Sequence, residues 1–171
     1  AQGMRLNVQA VDPYLDLKIA QSLGVKLVSF DELVATSDFI SLHAPLTRQT
    51  RKMFSALQFK AMKKTAYLIN CARGGLVDTE GLYEALVAGE LAGAALDVTE
   101  PEPLPADHKI LTLPNVIVTC HTAANSDESY IDCQTHAARE VVNVLSGRGP
   151  TTEVKDPWLL AEAQDEGFGG V

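Results

Sequence analysis

The chain has 171 residues and a formal charge of −8, from 14 Lys and Arg against 22 Asp and Glu. That length suits one domain with one core. The acidic balance argues against a phosphate-backbone partner, which needs clustered cations. No apolar run reaches the roughly 20 residues that cross a bilayer, and the opening Ala1-Gln2-Gly3-Met4-Arg5 carries no apolar leader segment. Three cysteines, Cys71, Cys120 and Cys133, leave an odd thiol, so a disulfide framework is not expected. A reducing cytoplasm is the expected location, with neither nucleic acid nor membrane as partner. The start without an initiator methionine suggests a piece of something longer.

Strand-like and helix-like segments alternate, which favours a parallel α/β sheet. Residues 6–11 read as a strand closed by Asp12-Pro13, and 15–23 as a helix stopped by Gly24. Residues 25–28 form a short strand, and Ser29 or Asp31 can cap a helix through Thr36. A buried strand over 38–42 ends at His43-Ala44-Pro45. Ser55 can cap an amphipathic helix over 56–62, with Lys63 and Lys64 suiting the negative end of its dipole. Strands over 66–70 and 93–98 flank a helix over 80–88, capped by Thr79 or Asp78 and stopped by Gly89. Residues 116–119 make a last strand. Ser126 or Asp127 then caps a long helix through about Leu145, closed by Gly147-Arg148-Gly149-Pro150. The acidic tail, 151–171, is weakly periodic and expected to be extended or disordered, with Trp158-Leu159-Leu160 as its sticky point.

Chemistry-bearing residues follow directly after the apolar runs. Ligands of an open parallel sheet collect at the carboxyl ends of its strands, so Arg73, Asp97, Glu102 and His121 are expected at one rim. Asp12, at a strand tip, could accept both ribose hydroxyls of a dinucleotide. Taken by itself it reads better as a turn-forming Asp before Pro, because the chain contains no Gly-x-Gly-x-x-Gly loop. Arg73, between Asn70-Cys71-Ala72 and Gly74-Gly75, can offer a planar fork to a carboxylate; without its neighbours it would be a surface Arg in a glycine turn. Glu102 sits in Thr99-Glu100-Pro101-Glu102-Pro103-Leu104-Pro105, where three prolines hold a carboxylate at low entropy cost. The commoner fate of such a stretch is a solvated acidic loop, with Glu100 a bystander.

His121 ends the run Val116-Ile117-Val118-Thr119-Cys120. An imidazole there can pass a proton near neutral pH, and a bond from Glu102 would fix its orientation. A lone His in that place is more often structural. Asp97 could accept from a carboxamide or serve as a turn acid. A thiol nucleophile from Cys120 with His121 is set aside, because strand neighbours point to opposite faces. Cys133 and His136 lack a second ligand pair for zinc.

Several blocks, in order, carry a resemblance: Asp12-Pro13-Tyr14, His43-Ala44-Pro45-Leu46-Thr47, Asn70-Cys71-Ala72-Arg73-Gly74-Gly75-Leu76-Val77-Asp78, Gly93-Ala94-Ala95-Leu96-Asp97-Val98, Glu100-Pro101-Glu102-Pro103-Leu104 and Leu113-Pro114-Asn115-Val116. Over about residues 3–150 the chain resembles the NAD-binding domain of the D-isomer-specific 2-hydroxyacid dehydrogenases, the group of phosphoglycerate dehydrogenases and glyoxylate/hydroxypyruvate reductases. The resemblance implies a Rossmann-type parallel sheet with helices on both faces, lacking its first strand and glycine-rich loop. It implies a partial dinucleotide-binding domain over 1–150 and a tail, 151–171, that is a remnant of the substrate domain or disordered.

It further implies NAD as cofactor, a small 2-hydroxy or 2-oxo acid as substrate, and a homodimer in which the 126–145 helix is a subunit contact or hinge. His121 would be the acid/base, Glu102 its pairing carboxylate, and Arg73 the grip on the substrate carboxylate. Asp12 would face the adenosine ribose, and His43, Ala44 and Pro45 the adenine side. Cys71, Ala72, Arg73, Asp97, His121 and Ala124 would face the nicotinamide end. Two positions depart from the family pattern: Cys120 stands where proline usually precedes the His, and Ala124 where glycine is common. The glycine loop is expected upstream of Ala1, so the chain is expected to be a fragment without tight NAD binding of its own. Corepressors resembling C-terminal-binding proteins keep this fold and these residues, so a binding module stands beside the enzyme reading, as does an inactive fragment.

Overall fold

Parallel pairing dominates, as the alternation of elements predicts. In the computed structural model, which describes residues 1–153, the elements are β1 (Gln9–Ala10), α1 (Leu17–Ser22), β2 (Lys26–Leu27), α2 (Phe30–Thr36), β3 (Phe39–Leu42), α3 (Ala56–Ala61), β4 (Tyr67–Asn70), α4 (Thr79–Val87), β5 (Gly93–Leu96), β6 (Val116–Val118) and α5 (Asp127–Leu145). The strands form two parallel sheets, β1-β2 and β3-β4-β5-β6. The Trp158-Leu159-Leu160 segment and most of the tail lie outside the described residues.

Alternation in the strands decides the core. Ile40, Leu42, Leu68, Ala94 and Leu96 are buried against Phe59 of α3, Leu82, Ala85 and Leu86 of α4, and Val34 of α2. Helix cover therefore lies over this face of the four-stranded sheet. Phe39, Tyr67 and Ile117 of the other face stay exposed, the first two with their rings stacked 5.7 Å apart.

The caps follow the expected chemistry. Ser29 accepts from the Glu32 N–H, Ser126 accepts from the Ser129 N–H, and the Gln58 carboxamide oxygen accepts from the Ser55 N–H. Boundaries moved most at the first strand, where 6–11 shrinks to Gln9–Ala10. β1 has a backbone partner on only one side, and Gln9 instead bridges by its side chain to Thr36 and Ser37, 2.9 Å to each. Lys63 lies past α3 and pairs with Asp38 at 2.8 Å, so Lys60 is the basic residue of the last turn.

Candidate active site

The strand ends carry the chemistry, and two buried polar side chains shape it. Asn70, the last residue of β4, is fully buried. Its Nδ2 donates to the Arg73 carbonyl (2.9 Å) and its Oδ1 accepts from the Ala72 N–H (3.1 Å). These two bonds fold Cys71–Ala72–Arg73 into a turn in place of a further sheet rung. Gly74 follows because nothing larger fits: an added Cβ would sit 2.0 Å from the Thr99 carbonyl oxygen. The Arg73 turn thus lies backbone to backbone against the segment leaving β5. The Arg73 side chain is exposed and spends one N–H on the Ala72 carbonyl at 2.7 Å.

Asp97, one residue past β5, is 5% exposed. Its Oδ1 accepts from the Thr119 hydroxyl (2.5 Å) and the Thr122 N–H (2.8 Å), and its Oδ2 from the Ala123 N–H (2.9 Å). The Thr119 hydroxyl first, then the Ala123 and Thr122 amides, hold this carboxyl below the usual Asp range. Its backbone is equally committed: the Asp97 N–H donates to the Asn70 carbonyl, and its carbonyl accepts from the His121 N–H, both at 2.9 Å.

The proline-rich loop is pinned at both ends. Glu100 pairs with Arg51 at 2.7 Å, and its carbonyl accepts from the Thr79 hydroxyl at 3.0 Å. Glu100 is therefore no bystander, a correction to the sequence reading. At the far end Glu80 of α4 takes both His108 (3.1 Å) and Lys109 (2.8 Å). Between these anchors Glu102 reaches His121, with Oε1 to Nδ1 at 2.6 Å. His121 itself has a left-handed backbone, φ 57°. Because Nδ1 is engaged by the carboxylate, Nε2 is the nitrogen left for proton exchange, in a pair whose side chains are 51% and 42% exposed.

Glu102, His121 and Asp97 are thus joined by bonds, and the Arg73 turn touches their frame through Gly74. Asp12 Oδ1 accepts from the Tyr14 N–H at 2.9 Å, the geometry of the turn-forming alternative. At the end of β3, His43 Nε2 lies 2.9 Å from the Ser41 hydroxyl; Ala44 is half-buried and Pro45 exposed. Cys71 and Ala124 are exposed, Ala72 half-buried. Among the described residues, no hydrogen bond ties Asp12 or His43 to the His121 cluster. Sequence reasoning gave no role to Asn70, Thr119 or Arg51. An Asn at a strand end before a glycine turn is a recognisable turn signal, whereas the Arg51–Glu100 pair leaves no local trace. Among the described residues, no group of three or more His, Cys, Asp or Glu is placed to hold a metal ion.

Polar turns at the carboxyl ends of parallel strands, with helices covering one face of the sheet, are the arrangement of a dinucleotide-binding α/β domain. The particular family follows from sequence: residues 1–123 match the family described as the D-isomer specific 2-hydroxyacid dehydrogenase, NAD binding domain, and the chain belongs to it. It is 45% identical to a D-3-phosphoglycerate dehydrogenase of Methanocaldococcus jannaschii over 95% of this chain and 31% of that protein. It is 44% identical to a glyoxylate reductase of Thermofilum pendens over 74% of this chain and 38% of that one. Its structure resembles D-lactate dehydrogenase with NAD+ from Lactobacillus jensenii, with TM-score 0.78 and 34% identity, covering 90% of this chain and 50% of that chain. The chain therefore spans half or less of these relatives. NAD is the cofactor of the family's domain, and the donor set here suits its reacting end: a free imidazole nitrogen and a guanidinium with unspent N–H groups. The sequence holds no glycine-rich loop for the pyrophosphate.

Proposed function

We propose that this chain is the cofactor-side half of an oxidoreductase that interconverts small 2-hydroxy and 2-oxo acids, the D-isomer by family. The Glu102–His121 contact is the observation that carries the reading. Glu102 holds the imidazole by Nδ1, so Nε2 gives or takes the proton of the substrate oxygen. Arg73 grips the substrate carboxylate with its unspent N–H groups and opposes negative charge developing on the reacting oxygen. NAD, when bound, supplies or accepts the hydride. Cys71, Ala72, Asp97 and Ala124 would border its nicotinamide end, Asp12 its ribose, and His43, Ala44 and Pro45 its adenine. Cytoplasmic location and a homodimer belong to the same proposal.

Oxidation of NADH by a series of 2-oxo acids tests it, with the chain as it stands and joined to a substrate-domain segment from a relative. Turnover in the joined protein, reduced about 10²–10⁴-fold in His121→Ala, is the expected result. Equal turnover in parent and His121→Ala proteins would rule the assignment out.

A further inference from the structure

The left-handed backbone at His121 needs a cause, since a bulky L-residue rarely stays there unaided. No glycine, turn dipeptide or apolar packing supplies it locally: residues 119–128 are all exposed. Among the described residues, the buried side chain that bonds to the segment is that of Asp97. Its carboxylate takes three donors, from residues 119, 122 and 123, which straddle His121 on both sides. Its carbonyl takes the His121 N–H itself. Four bonds from one residue therefore close around one imidazole-bearing position.

We infer that Asp97 is a positioning residue that clamps the 119–123 loop and sets His121 against Glu102, with the Thr119 hydroxyl as part of the clamp. This deepens the proposed function and rests on it for the role of His121. It also changes what Asp97 has to offer a ligand. Three donors leave it little acceptor capacity, so its first duty is to the loop rather than to a carboxamide. The neighbouring strand end is built alike: Asn70 folds the Arg73 turn with its side chain and receives the Asp97 N–H on its carbonyl. The two buried side chains thus hold the two reactive turns in one register.

Thr119→Val tests the clamp with little risk to folding, because it removes one hydroxyl from an exposed position and keeps Asp97. Asp97→Asn is the stronger variant. Hydrogen exchange of the chain should show the His121, Thr122 and Ala123 amides exchanging at least tenfold faster in either variant, with strand amides of β3–β5 unchanged. The His121 ring nitrogen resonances should respond to Glu102→Gln in the parent but no longer in the Thr119→Val background. In the turnover assay of Thr119→Val, kcat should fall while NADH affinity stays within about twofold. Unchanged exchange and an intact response to Glu102→Gln would overturn the clamp even if His121 proves catalytic. A drop in NADH affinity with normal exchange would instead make Asp97 a ligand acceptor. Faster exchange with no turnover in any protein would leave the clamp standing and remove the enzyme reading.

Discussion

Glu102 and His121 meet at 2.6 Å although they leave different segments of the rim, one from a proline-rich loop and one from the end of β6. Both side chains remain about half exposed, at 42% and 51%. A contact this wet contributes only about 0–1 kcal/mol to stability even when both partners are charged, so its purpose lies in orientation. Glu102→Gln should therefore leave the thermal midpoint essentially unchanged. Its kcat loss should be smaller than the roughly 10²–10⁴-fold loss in His121→Ala. Thermal unfolding and steady-state turnover on the same preparations check both halves of the expectation, and a large drop in midpoint would point to a structural pair.

Gly74 makes a sharper stability test. A Cβ there would lie 2.0 Å from the Thr99 carbonyl oxygen and 2.8 Å from the Glu100 nitrogen, all backbone atoms that cannot rotate away. Gly74→Ala should cost about 1–3 kcal/mol or more by overpacking. At Gly75 the nearest atoms are side-chain carbons of Leu46, at 3.0 and 3.1 Å, so Gly75→Ala should cost less. Urea unfolding of the two variants ranks them, and the reverse order would mean that the Arg73 turn does not press on the β5 exit.

Asn70 is the buried polar residue whose loss should be felt most locally. Asn70→Ala strands the Ala72 N–H and leaves the Arg73 carbonyl with the 3.3 Å bond from the Leu76 N–H, at about 1–3 kcal/mol for the group left unsatisfied. The Arg73 turn should loosen before the sheet does. Hydrogen exchange at Ala72 and Arg73, read against β4 itself, separates that outcome from general unfolding.

Much of this architecture was legible in the chain because its periodicities are local. The strands at β3 to β6 alternate or run apolar between turn residues, and Ser29, Ser55 and Ser126 mark helix starts by chemistry that acts within three residues. The site residues His121, Glu102 and Arg73 stood out because each ends or follows an apolar run. What escaped is non-local. Nothing near Glu100 announces Arg51, and nothing near Asp97 announces a carboxylate bridging to Thr119, Thr122 and Ala123. The first strand was overread because residues 6–8 are apolar enough for a strand yet lack a backbone partner on the open side of β1.

The long helix carries an oligomer prediction. α5 buries no residue, and Val141, Val142 and Leu145 near its end are 57%, 53% and 82% exposed. An apolar row of this kind asks for cover, and a second copy of the chain is the cover the homodimer proposal names. Val141→Lys with Leu145→Lys should shift sedimentation from dimer to monomer without changing the circular dichroism spectrum. A wild-type chain that sediments as a monomer at high concentration would remove α5 as the subunit contact.

Acid should weaken the fold through two carboxyls with different jobs. Glu80 is held below the usual Glu range, first by its bond from Lys109 and then by His108, and Asp97 by Thr119 and the loop amides. A carboxyl depressed in the folded state adds stability that is fully present above its unfolded value and is lost as pH falls through the folded one. Lys109 is raised by the same Glu80 bond, so its contribution holds below the ordinary Lys range and disappears as pH climbs beyond it. Urea midpoints measured from neutral to about pH 3 should fall, and Glu80→Gln should flatten part of that acid limb while also flattening the alkaline limb through Lys109. Asp97→Asn should flatten the acid limb alone. Because Glu80 anchors the far end of the Glu102 loop whereas Asp97 holds the His121 loop, the two variants should add when combined; midpoints that refuse to add would mean that the loops unfold as one unit.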